Sequence, residues 1–206
     1  MTATPIVYIV DDDPSVLRAL ERLTRSSGLQ AQTFTSPKDF LSSQDSSAQG
    51  CLVLDVAMPG LNGLELQDAL NAQGSCMPII FITGHGDIPM SVRAMKAGAV
   101  DFLTKPFDDG DLLNAVRLAL QKDKELRAKR AEIQAVKVRL AKLSPREREV
   151  LTHLLAGKLN NQVAADLGTV EKTIKVHRGR VMKKMGVSSL AELARLAELG
   201  GLEPAE

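Results

Sequence analysis

The sequence predicts a fold in two parts, an α/β domain with a five-stranded doubly wound parallel sheet and an all-α domain, joined by a long helix. Three observations predict it. Short runs rich in Val and Ile alternate with helical patterns up to about residue 103, which is the order of elements in a parallel sheet covered by helices. A stretch without Pro or Gly then extends from residue 111 to about residue 143. The residues that follow show helical patterns alone, interrupted at glycines.

Five segments have the composition of strands. Three of them, 6–10, 50–54 and 77–83, are apolar runs rich in Val and Ile, typical of strands buried on both faces, and two shorter segments, 30–34 and 99–103, complete a set of five predicted strands. Apolar residues recur at helical spacing between them, and the predicted helices are 15–26, 36–42, 63–72 and 91–97. Ligands of such sheets bind beyond the carboxyl ends of the strands, so we expect a site at that edge.

The stretch without Pro or Gly is rich in Ala, Leu, Lys, Arg, Glu and Gln, which are strong helix formers. It predicts one long helix that connects the two domains. Leu126, Ile133 and Leu140 recur in it at a spacing of seven. Either they form a short dimer seam or they pack the helix against its own domains, and so few heptads favour the second alternative. The predicted parts of the chain are a first domain at 1–120, a helical linker at 121–142 and a second domain at 143–206.

Charge is unevenly distributed along the 206 residues. Residues 1–120 carry 8 Lys or Arg and 14 Asp or Glu, a net charge of −6, whereas the rest carries 18 and 11, a net charge of +7. This asymmetry indicates an acidic domain joined to one that binds a polyanion. Cys51 and Cys76 lack metal-ligand spacing, which favours buried free thiols. No apolar run approaches the roughly 18 residues of a membrane span, so we expect a cytoplasmic protein with no membrane partner.

Acidic residues follow two of the predicted strands. Three consecutive aspartates at 11–13 follow the first strand, and Asp55 follows the third. Parallel neighbours would bring these carboxylates together, where they raise each other's pKa unless a cation neutralises them. Oxygen ligands with room for water suit Mg²⁺. Thr83 ends the fourth strand and Lys105 follows the fifth, so the same edge is predicted to bind an electrophile around one nucleophilic carboxylate.

Ordered motifs give the chain a family resemblance. In the first domain they are Val-Asp-Asp-Asp at 10–13, Leu-Asp-Val-Ala-Met-Pro-Gly-Leu-Asn-Gly at 54–63, Ile-Thr-Gly-His-Gly-Asp at 82–87 and Lys-Pro-Phe at 105–107. They resemble the receiver domains of two-component response regulators, in particular the FixJ type of the NarL/FixJ family. In the second domain, Leu-Ser-Pro-Arg-Glu-Arg-Glu-Val-Leu at 143–151 and Thr-Ile-Lys-Val-His-Arg at 173–178 resemble a LuxR-type helix-turn-helix. The resemblance covers essentially the whole chain.

The receiver resemblance implies a role for each residue at the predicted site. Asp55 would accept a phosphoryl group from a sensor histidine kinase. Asp12, Asp55 and the carbonyl of Ala57 would hold Mg²⁺ directly, and Asp11 would bind it through water. Asp13 is interpreted as a helix cap rather than a ligand, since Pro14 follows it.

The resemblance also implies how phosphorylation is transmitted. Lys105 would pair with the phosphoryl oxygens, and the Thr83 hydroxyl would move toward them. Phe102, in the position of the family's aromatic switch, would then turn inward. The helix at 91–97 and the strand at 99–103 would become a dimer contact, so the phosphorylated chain is expected to be a homodimer.

The helix-turn-helix resemblance implies that 160–167 is the first helix of the motif, Gly168 the turn, and 171–185 the recognition helix that enters the major groove of promoter DNA. Lys175 and Val176 would read base edges. The residues that would hold phosphate are Lys172, Thr173, His177 and Arg178. Lys183 and Lys184 either contact phosphate too or are solvated at the helix end, and the second is favoured. Transcription control by such a regulator implies RNA polymerase as a further partner.

Three residues depart from the family pattern. Val170 stands where a capping Ser is usual, and we expect that Thr169 caps instead. Asn161 stands where a Lys is common. Gly179 leaves a base-contact position without a side chain. Loss of the cap would cost about 1 kcal/mol, and a glycine inside the helix about another 1 kcal/mol.

Two other functions are compatible with an aspartate at this edge of the sheet, whereas a response regulator is expected not to be an enzyme. A Mg²⁺-dependent phosphatase of the haloacid-dehalogenase type would also use an aspartate nucleophile, but it needs a second carboxylate where this chain has Ala57. A tethering module that works without phosphorylation is disfavoured by the intact set Asp12, Asp55, Thr83 and Lys105. His85 is interpreted as a loop residue, because no second His or Cys stands at ligand spacing.

Overall fold

The computed structural model describes residues 4–43, 49–84 and 87–205. Contacts divide the chain into two compact units, Met1–Arg127 and Ala128–Glu206. The prediction made for His85 lies outside the described residues. Within the described ranges, none of the helices combines the length and the apolar character that crossing a membrane requires.

The first unit is a five-stranded parallel sheet covered by helices, which confirms the predicted fold class. The strands are β1 (Ile6–Val10), β2 (Gln30–Phe34), β3 (Gly50–Asp55), β4 (Ile79–Thr83) and β5 (Asp101–Thr104). The helices are α1 (Pro14–Ser26), α2 (Pro37–Ser43), α3 (Gly63–Ala72), α4 (Ile88–Lys96) and the beginning of α5 (Asp109–Ala141). The strand order is β2-β1-β3-β4-β5. It reverses between β1 and β3, and this switch point is where doubly wound sheets bind ligands.

The two faces of the sheet carry separate apolar cores because successive residues of a strand point to opposite faces. Val10, Leu54 and Phe81 pack on one face with residues of α2, α3 and α4. Ile9 and Ile82, each one position away along the same strands, pack on the other face with α1 and the first part of α5. The strands are therefore held between two helical layers, and their carboxyl ends are left open at one edge.

Several element boundaries differ from the pattern-based prediction by one to three residues, and strand β4, for example, begins at Ile79 rather than at residue 77. Helix α4 begins at Ile88 rather than at residue 91, because Asp87 accepts a hydrogen bond of 2.7 Å from the Met90 amide and Pro89 occupies the first turn. Strand β5 begins two residues later than predicted, because the amide of Ala99 bonds the last turn of α4 (3.1 Å, to the Ala94 carbonyl) instead of a neighbouring strand.

Helix α5 is continuous over 33 residues, as predicted. Leu112 and Val116, near its start, are buried in a core of the first unit. Val136 and Leu140, near its end, are buried in a core of the second unit. Of the three residues spaced by seven, Leu140 packs in this core, whereas Leu126 and Ile133 are half-buried. The choice between a dimer seam and packing against the chain's own domains therefore stays a prediction.

The second unit adds four helices to the end of α5, and they are α6 (Pro145–Leu155), α7 (Asn160–Asp166), α8 (Glu171–Met185) and α9 (Leu190–Leu199). Gly168 lies between α7 and α8 with a φ of 61°, a left-handed conformation that glycine adopts without strain. Ile174 at the start of α8 is buried among residues of α6 and α7. Val181 and Met185 at its end are buried with residues of α5 and α9. One side of α8 is thus committed to the core.

Candidate functional site

Two carboxylates lie side by side at the switch point of the sheet. Val10 is the register partner of Leu54, so Asp11 and Asp55 each follow the last paired residue of neighbouring strands. Both are buried, with 1% and 4% of their surface exposed. Burying two carboxylates at one place is unfavourable unless cations or hydrogen bonds compensate them.

Lys105 supplies part of that compensation. Its Nζ lies 2.7 Å from Oδ2 of Asp11 and 3.2 Å from Oδ1 of Asp55. The loop that carries it is anchored to β4, because the Lys105 amide donates to the Thr83 carbonyl over 2.7 Å. The peptide bond between Lys105 and Pro106 is cis. One ammonium group is therefore shared by two carboxylates, and the cluster keeps a net negative charge.

The pKa values at the cluster reflect this balance. Burial raises the pKa of Asp55 above its ordinary value, although Lys105 acts to lower it and the charge of Asp11 adds to the rise. For Lys105, burial alone would lower the pKa, but hydrogen bonds and charge from Asp11 and Asp55 outweigh it and raise the pKa. Asp55 is thus a carboxylate whose negative charge is incompletely stabilised by the protein, a state that an added cation would relieve.

The other predicted metal ligands are exposed neighbours of the two buried carboxylates along the chain. Asp12 and Ala57 are exposed, and the backbone of Ala57 contributes a hydrogen bond that lowers the pKa of Asp55. Among the described residues, no group of three or more His, Cys, Asp and Glu side chains is arranged as a metal-binding cluster. The donors present are carboxylate and carbonyl oxygens beside open solvent, which is the chemistry that Mg²⁺ prefers.

Asp13 caps α1, as predicted. Its side chain accepts a hydrogen bond of 2.7 Å from the amide of Ser15. This hydrogen bond is the main reason why the pKa of Asp13 lies below its ordinary value. Its own amide donates to Oδ1 of Asp11 over 2.9 Å. The cap therefore also holds the Asp11 carboxylate in orientation.

Thr83 and Phe102, the residues expected to transmit phosphorylation, lie on the neighbouring strands β4 and β5. Thr83 is fully buried at the end of β4. Phe102 is half-buried on β5 as the register partner of Phe81, and the two ring centroids are 6.2 Å apart. The neighbouring helix α4 exposes apolar side chains, with exposed fractions of 79% for Ile88 and 44% for Val92. This helix and β5 are the elements in which sequence analysis expected a dimer contact.

Helix α8 exposes the face on which DNA-reading residues were expected. Lys172, Lys175 and Val176 are exposed, Val176 to 48%. Lys175 forms an exposed ion pair with Glu171, one turn earlier, at 3.0 Å. Such a pair contributes little stability, so the Lys175 ammonium is available to another anion.

The remaining predicted contact residues lie on the flanks of α8. Thr173, His177 and Arg178 are half-buried. Arg178 donates to Oδ1 of Asn160, at the start of α7, over 3.4 Å. The buried Nδ1 of His177 has no hydrogen-bond partner in the described part of the chain.

The cap predicted for α8 is wrong. Val170, not Thr169, occupies the N-cap position, and it offers no side-chain hydrogen bond. The amide of Thr169 instead donates to the Ala164 carbonyl over 2.9 Å, which closes the end of α7. Asn161 is exposed in the first turn of α7. Thr169 is thus hydrogen-bonded to the end of α7, the first helix of the motif, and the exposed Val170 precedes α8, the second helix, without capping it.

Lys184 is not merely solvated, as favoured from sequence. Its ammonium donates to Oε2 of Glu147 and to the Lys142 carbonyl, so it joins the end of α8 to the start of α6. Glu147 is buried and also completes a capping box with Ser144. The Ser-Pro-Arg-Glu segment at 144–147 predicted the start of a helix with its cap. No local pattern indicated that Glu147 would also pair with Lys184 on α8.

A further buried carboxylate, on α5, was missed altogether. Asp123 on α5 is 5% exposed. Its Oδ2 accepts a hydrogen bond of 3.0 Å from the amide of Gly50 at the start of β3, and Arg127 donates to both of its oxygens at 2.9 and 2.8 Å. Burial raises the pKa of the neighbouring Cys51 thiol to about 12, and the charge of Asp123 contributes to the rise. Cys51 is accordingly a buried free thiol, as expected, whereas Cys76 is only partly buried.

Together, the parallel sheet with its carboxylates and lysine, and the helical unit with its basic exposed helix, define a class of protein: a receiver domain joined to a DNA-binding helix-turn-helix. Residues 7–117 match the response regulator receiver domain family. Residues 141–197 match the family described as bacterial regulatory proteins, luxR family.

The chain belongs to the NarL/FixJ family of two-component response regulators. It is 49% identical to the response regulator protein TodT of Pseudomonas putida, over 94% of this chain and 85% of that one. It is 46% identical to the transcriptional regulatory protein FixJ of Azorhizobium caulinodans, over 97% and 95% of the two chains. The solved structure of the response regulator StyR superposes with a TM-score of 0.85 at 46% identity, covering 95% of this chain and 99% of that one.

Proposed function

We propose that Asp55 is the phosphoacceptor of this response regulator and that its phosphorylation controls promoter binding by α8. The observation that carries the proposal is the position of Asp55. It is buried at the switch point, contacts Lys105 at 3.2 Å, and has a raised pKa caused by burial. The negative charge of such a carboxylate is incompletely compensated, so the place suits an added cation, and the Lys105 ammonium beside it is positioned to pair with an incoming phosphoryl group.

The transfer is a nucleophilic displacement at phosphorus. A carboxylate oxygen of Asp55 attacks the phosphoryl group of a phosphohistidine on the sensor kinase, and the bond between phosphorus and the imidazole nitrogen breaks, with the electron pair left on nitrogen. Asp12, Asp55 and the Ala57 carbonyl would hold Mg²⁺, with Asp11 bound through water, and the ion would neutralise charge on the transferring group. The Lys105 ammonium, already in contact with Asp55, would pair with a phosphoryl oxygen.

The new phosphoryl group would change the surface around β5. We infer that the Thr83 hydroxyl turns toward it, and that Phe102 then moves into the space beside Phe81. The exposed apolar face of α4, which includes Ile88 and Val92, would become a contact between two phosphorylated chains. Homodimer formation would place two DNA-binding domains on one promoter.

In the second domain, Lys175 and Val176 would contact base edges, and phosphates would be held by Lys172, Thr173, His177 and Arg178. We propose residues 1–120 as the receiver domain, 121–142 as the linker and 143–206 as the DNA-binding domain. The other partners would be a sensor histidine kinase and RNA polymerase, in the cytoplasm, and the chain would have no turnover of its own as an enzyme.

Phosphorylation of Asp55 is tested by incubating the full chain with Mg²⁺ and acetyl phosphate. We expect the mass of one phosphoryl group on the peptide that contains Asp55, and none in the Asp55→Asn variant or without the metal. Asp68→Asn, which changes an exposed aspartate paired with Arg93 on α3 and α4, is the matched control and should be labelled like the wild type.

Two results would contradict this proposal. Labelling of Asp55→Asn at the wild-type level would show that another residue accepts the phosphoryl group. Continuous release of phosphate at enzyme-like rates would favour the phosphatase alternative.

A further inference from the structure

Gly179 lies in the middle of α8 at a position where its own domain gives no reason for a glycine. Its φ is outside the left-handed region, and a Cβ added to it would meet no atom of the described residues within 4 Å. Glycine inside a helix costs about 1 kcal/mol relative to alanine. The chain therefore carries a destabilising residue that neither backbone conformation nor packing requires.

Two other glycines of the same chain, unlike Gly179, are required by packing within the protein. A Cβ on Gly50 would collide with the carbonyl oxygen of Ile6, and one on Gly63 with the carbonyl oxygen of Asp55. Both glycines allow two segments of backbone to approach each other. Gly179 would allow the same approach, but from outside the molecule.

The position of Gly179 on the helix shows which face is approached. The buried residues of α8 are Ile174, Val181 and Met185. Successive residues of an α-helix are 100° apart, so residues separated by three or four positions lie on the same side. The side opposite to the buried residues begins at residue 172 and continues after four, three and four further positions. It consists of Lys172, Val176, Gly179 and Lys183, all of them exposed. Gly179 thus lies on the outermost line of the helix, where an approaching partner would reach the backbone first.

The chemistry of this face indicates duplex DNA as the partner. Six Lys or Arg and one Glu lie on α8, which complements a polyanion. Apolar groups lie between the cations, since Val176 is 48% and Val170 is 65% exposed. Phosphates flank the major groove and thymine methyl groups line its floor, so cations at the edges and short apolar groups at the centre match it.

We propose that Gly179 is the point at which the backbone of α8 comes closest to DNA, and that the missing side chain sets how deeply the helix enters the major groove. At that depth Lys175 and Val176, on the preceding turn, reach the base edges. The proposal rests on the proposed function of α8 as the recognition helix. It assigns to a residue without a side chain a positioning role in sequence recognition.

The test combines stability and DNA affinity in the full chain. The probe is a duplex selected by the wild-type protein from a random-sequence pool. Gly179→Ala should raise the midpoint of thermal unfolding of the DNA-binding domain, because alanine favours the helix. It should weaken binding about tenfold, the scale of one lost base contact. Gly179→Leu should weaken binding further, since a longer side chain holds the helix farther out.

Gly110→Ala is the matched control, because Gly110 is also in a helix and a Cβ there meets no described atom within 4 Å. It should leave DNA affinity unchanged. Equal or tighter binding by Gly179→Ala would overturn the proposal, as would a loss of stability, which would show that the glycine is needed within the domain. Lys175→Ala distinguishes the proposed function of α8 from the role proposed for Gly179. If Lys175→Ala weakens binding and Gly179→Ala does not, α8 is still supported as the recognition helix, but the role of Gly179 is contradicted.

Discussion

Glu147 is a single residue whose burial and partners make its effect on stability depend on pH. The hydrogen bond from Lys184 is the largest cause that lowers its pKa below the ordinary 4.5, followed by the hydrogen bond from the Ser144 amide. A carboxyl whose pKa is lower in the folded state stabilises the fold fully above its unfolded pKa. That stability is lost as the pH falls through the folded-state value.

We expect Glu147→Gln to lower the free energy of unfolding of the DNA-binding domain by about 1 kcal/mol at neutral pH, the upper range for a partly exposed pair. Gln can still serve in the capping box, so the change isolates the pair with Lys184. Below pH 4.5 the difference between wild type and variant should shrink. The measurement is urea unfolding across this pH range.

Glu149→Gln is the control, because Glu149 pairs with Arg146 at the surface, where both side chains are more than a third exposed. It should change stability by no more than about 0.5 kcal/mol. The role given to the charge of Glu147 would be contradicted if the difference in the free energy of unfolding between wild type and Glu147→Gln stayed constant as the pH falls.

At the scale of elements, α5 is held to the sheet by a polar contact as well as by apolar packing. Asp123 accepts from the amide of Gly50 and from Arg127. Gly50 begins β3, and the same strand ends at Asp55. The contact therefore joins the helix that leaves the first unit to the strand that carries the candidate phosphoacceptor.

We expect Asp123→Ala to destabilise the first unit by about 2 kcal/mol, because it removes the acceptor of the buried Gly50 amide and a carboxylate to which Arg127 donates. Glu21→Ala is the control, since Glu21 and Arg25 form an ion pair with the same spacing at the surface of α1, and it should cost about 0.3 kcal/mol. Denaturant unfolding checks both. Equal costs for the two variants would show that the buried contact adds nothing.

At the scale of the whole molecule, the proposed switch makes the oligomeric state depend on phosphorylation. With Mg²⁺ and acetyl phosphate, the full chain should change from monomer to dimer in light scattering. Val92→Glu should remain monomeric while Asp55 is still labelled, because a charge would be placed in the apolar face of α4.

Val138→Glu is the matched control for that experiment. Val138 is a similarly exposed valine, 46% against 44% for Val92, but it lies on α5 within the second unit. It should dimerise like the wild type. If Val92→Glu dimerises equally well, the contact surface is not on α4.

Much of the fold followed from local patterns. The periods of apolar residues predicted the five strands and the long helix, because burial on one or two faces leaves a regular trace in the sequence. The ends of the elements were predicted less accurately than their existence and type. Those of α4 and β5 depend on single hydrogen bonds, from Met90 to Asp87 and from Ala99 to Ala94, which compete with the apolar pattern.

The sequence by itself determined the fold class, the family and the residues expected at the candidate site, because strand ends, turns and motif order are properties of neighbouring residues. Only the tertiary structure decided the partners of the charged groups. Lys105 contacts Asp11 and Asp55, Lys184 contacts Glu147, and Asp123 accepts from the Gly50 amide. The physical reason is that a buried charge requires a partner at hydrogen-bonding distance, and folding brings that partner from dozens of residues away in the chain.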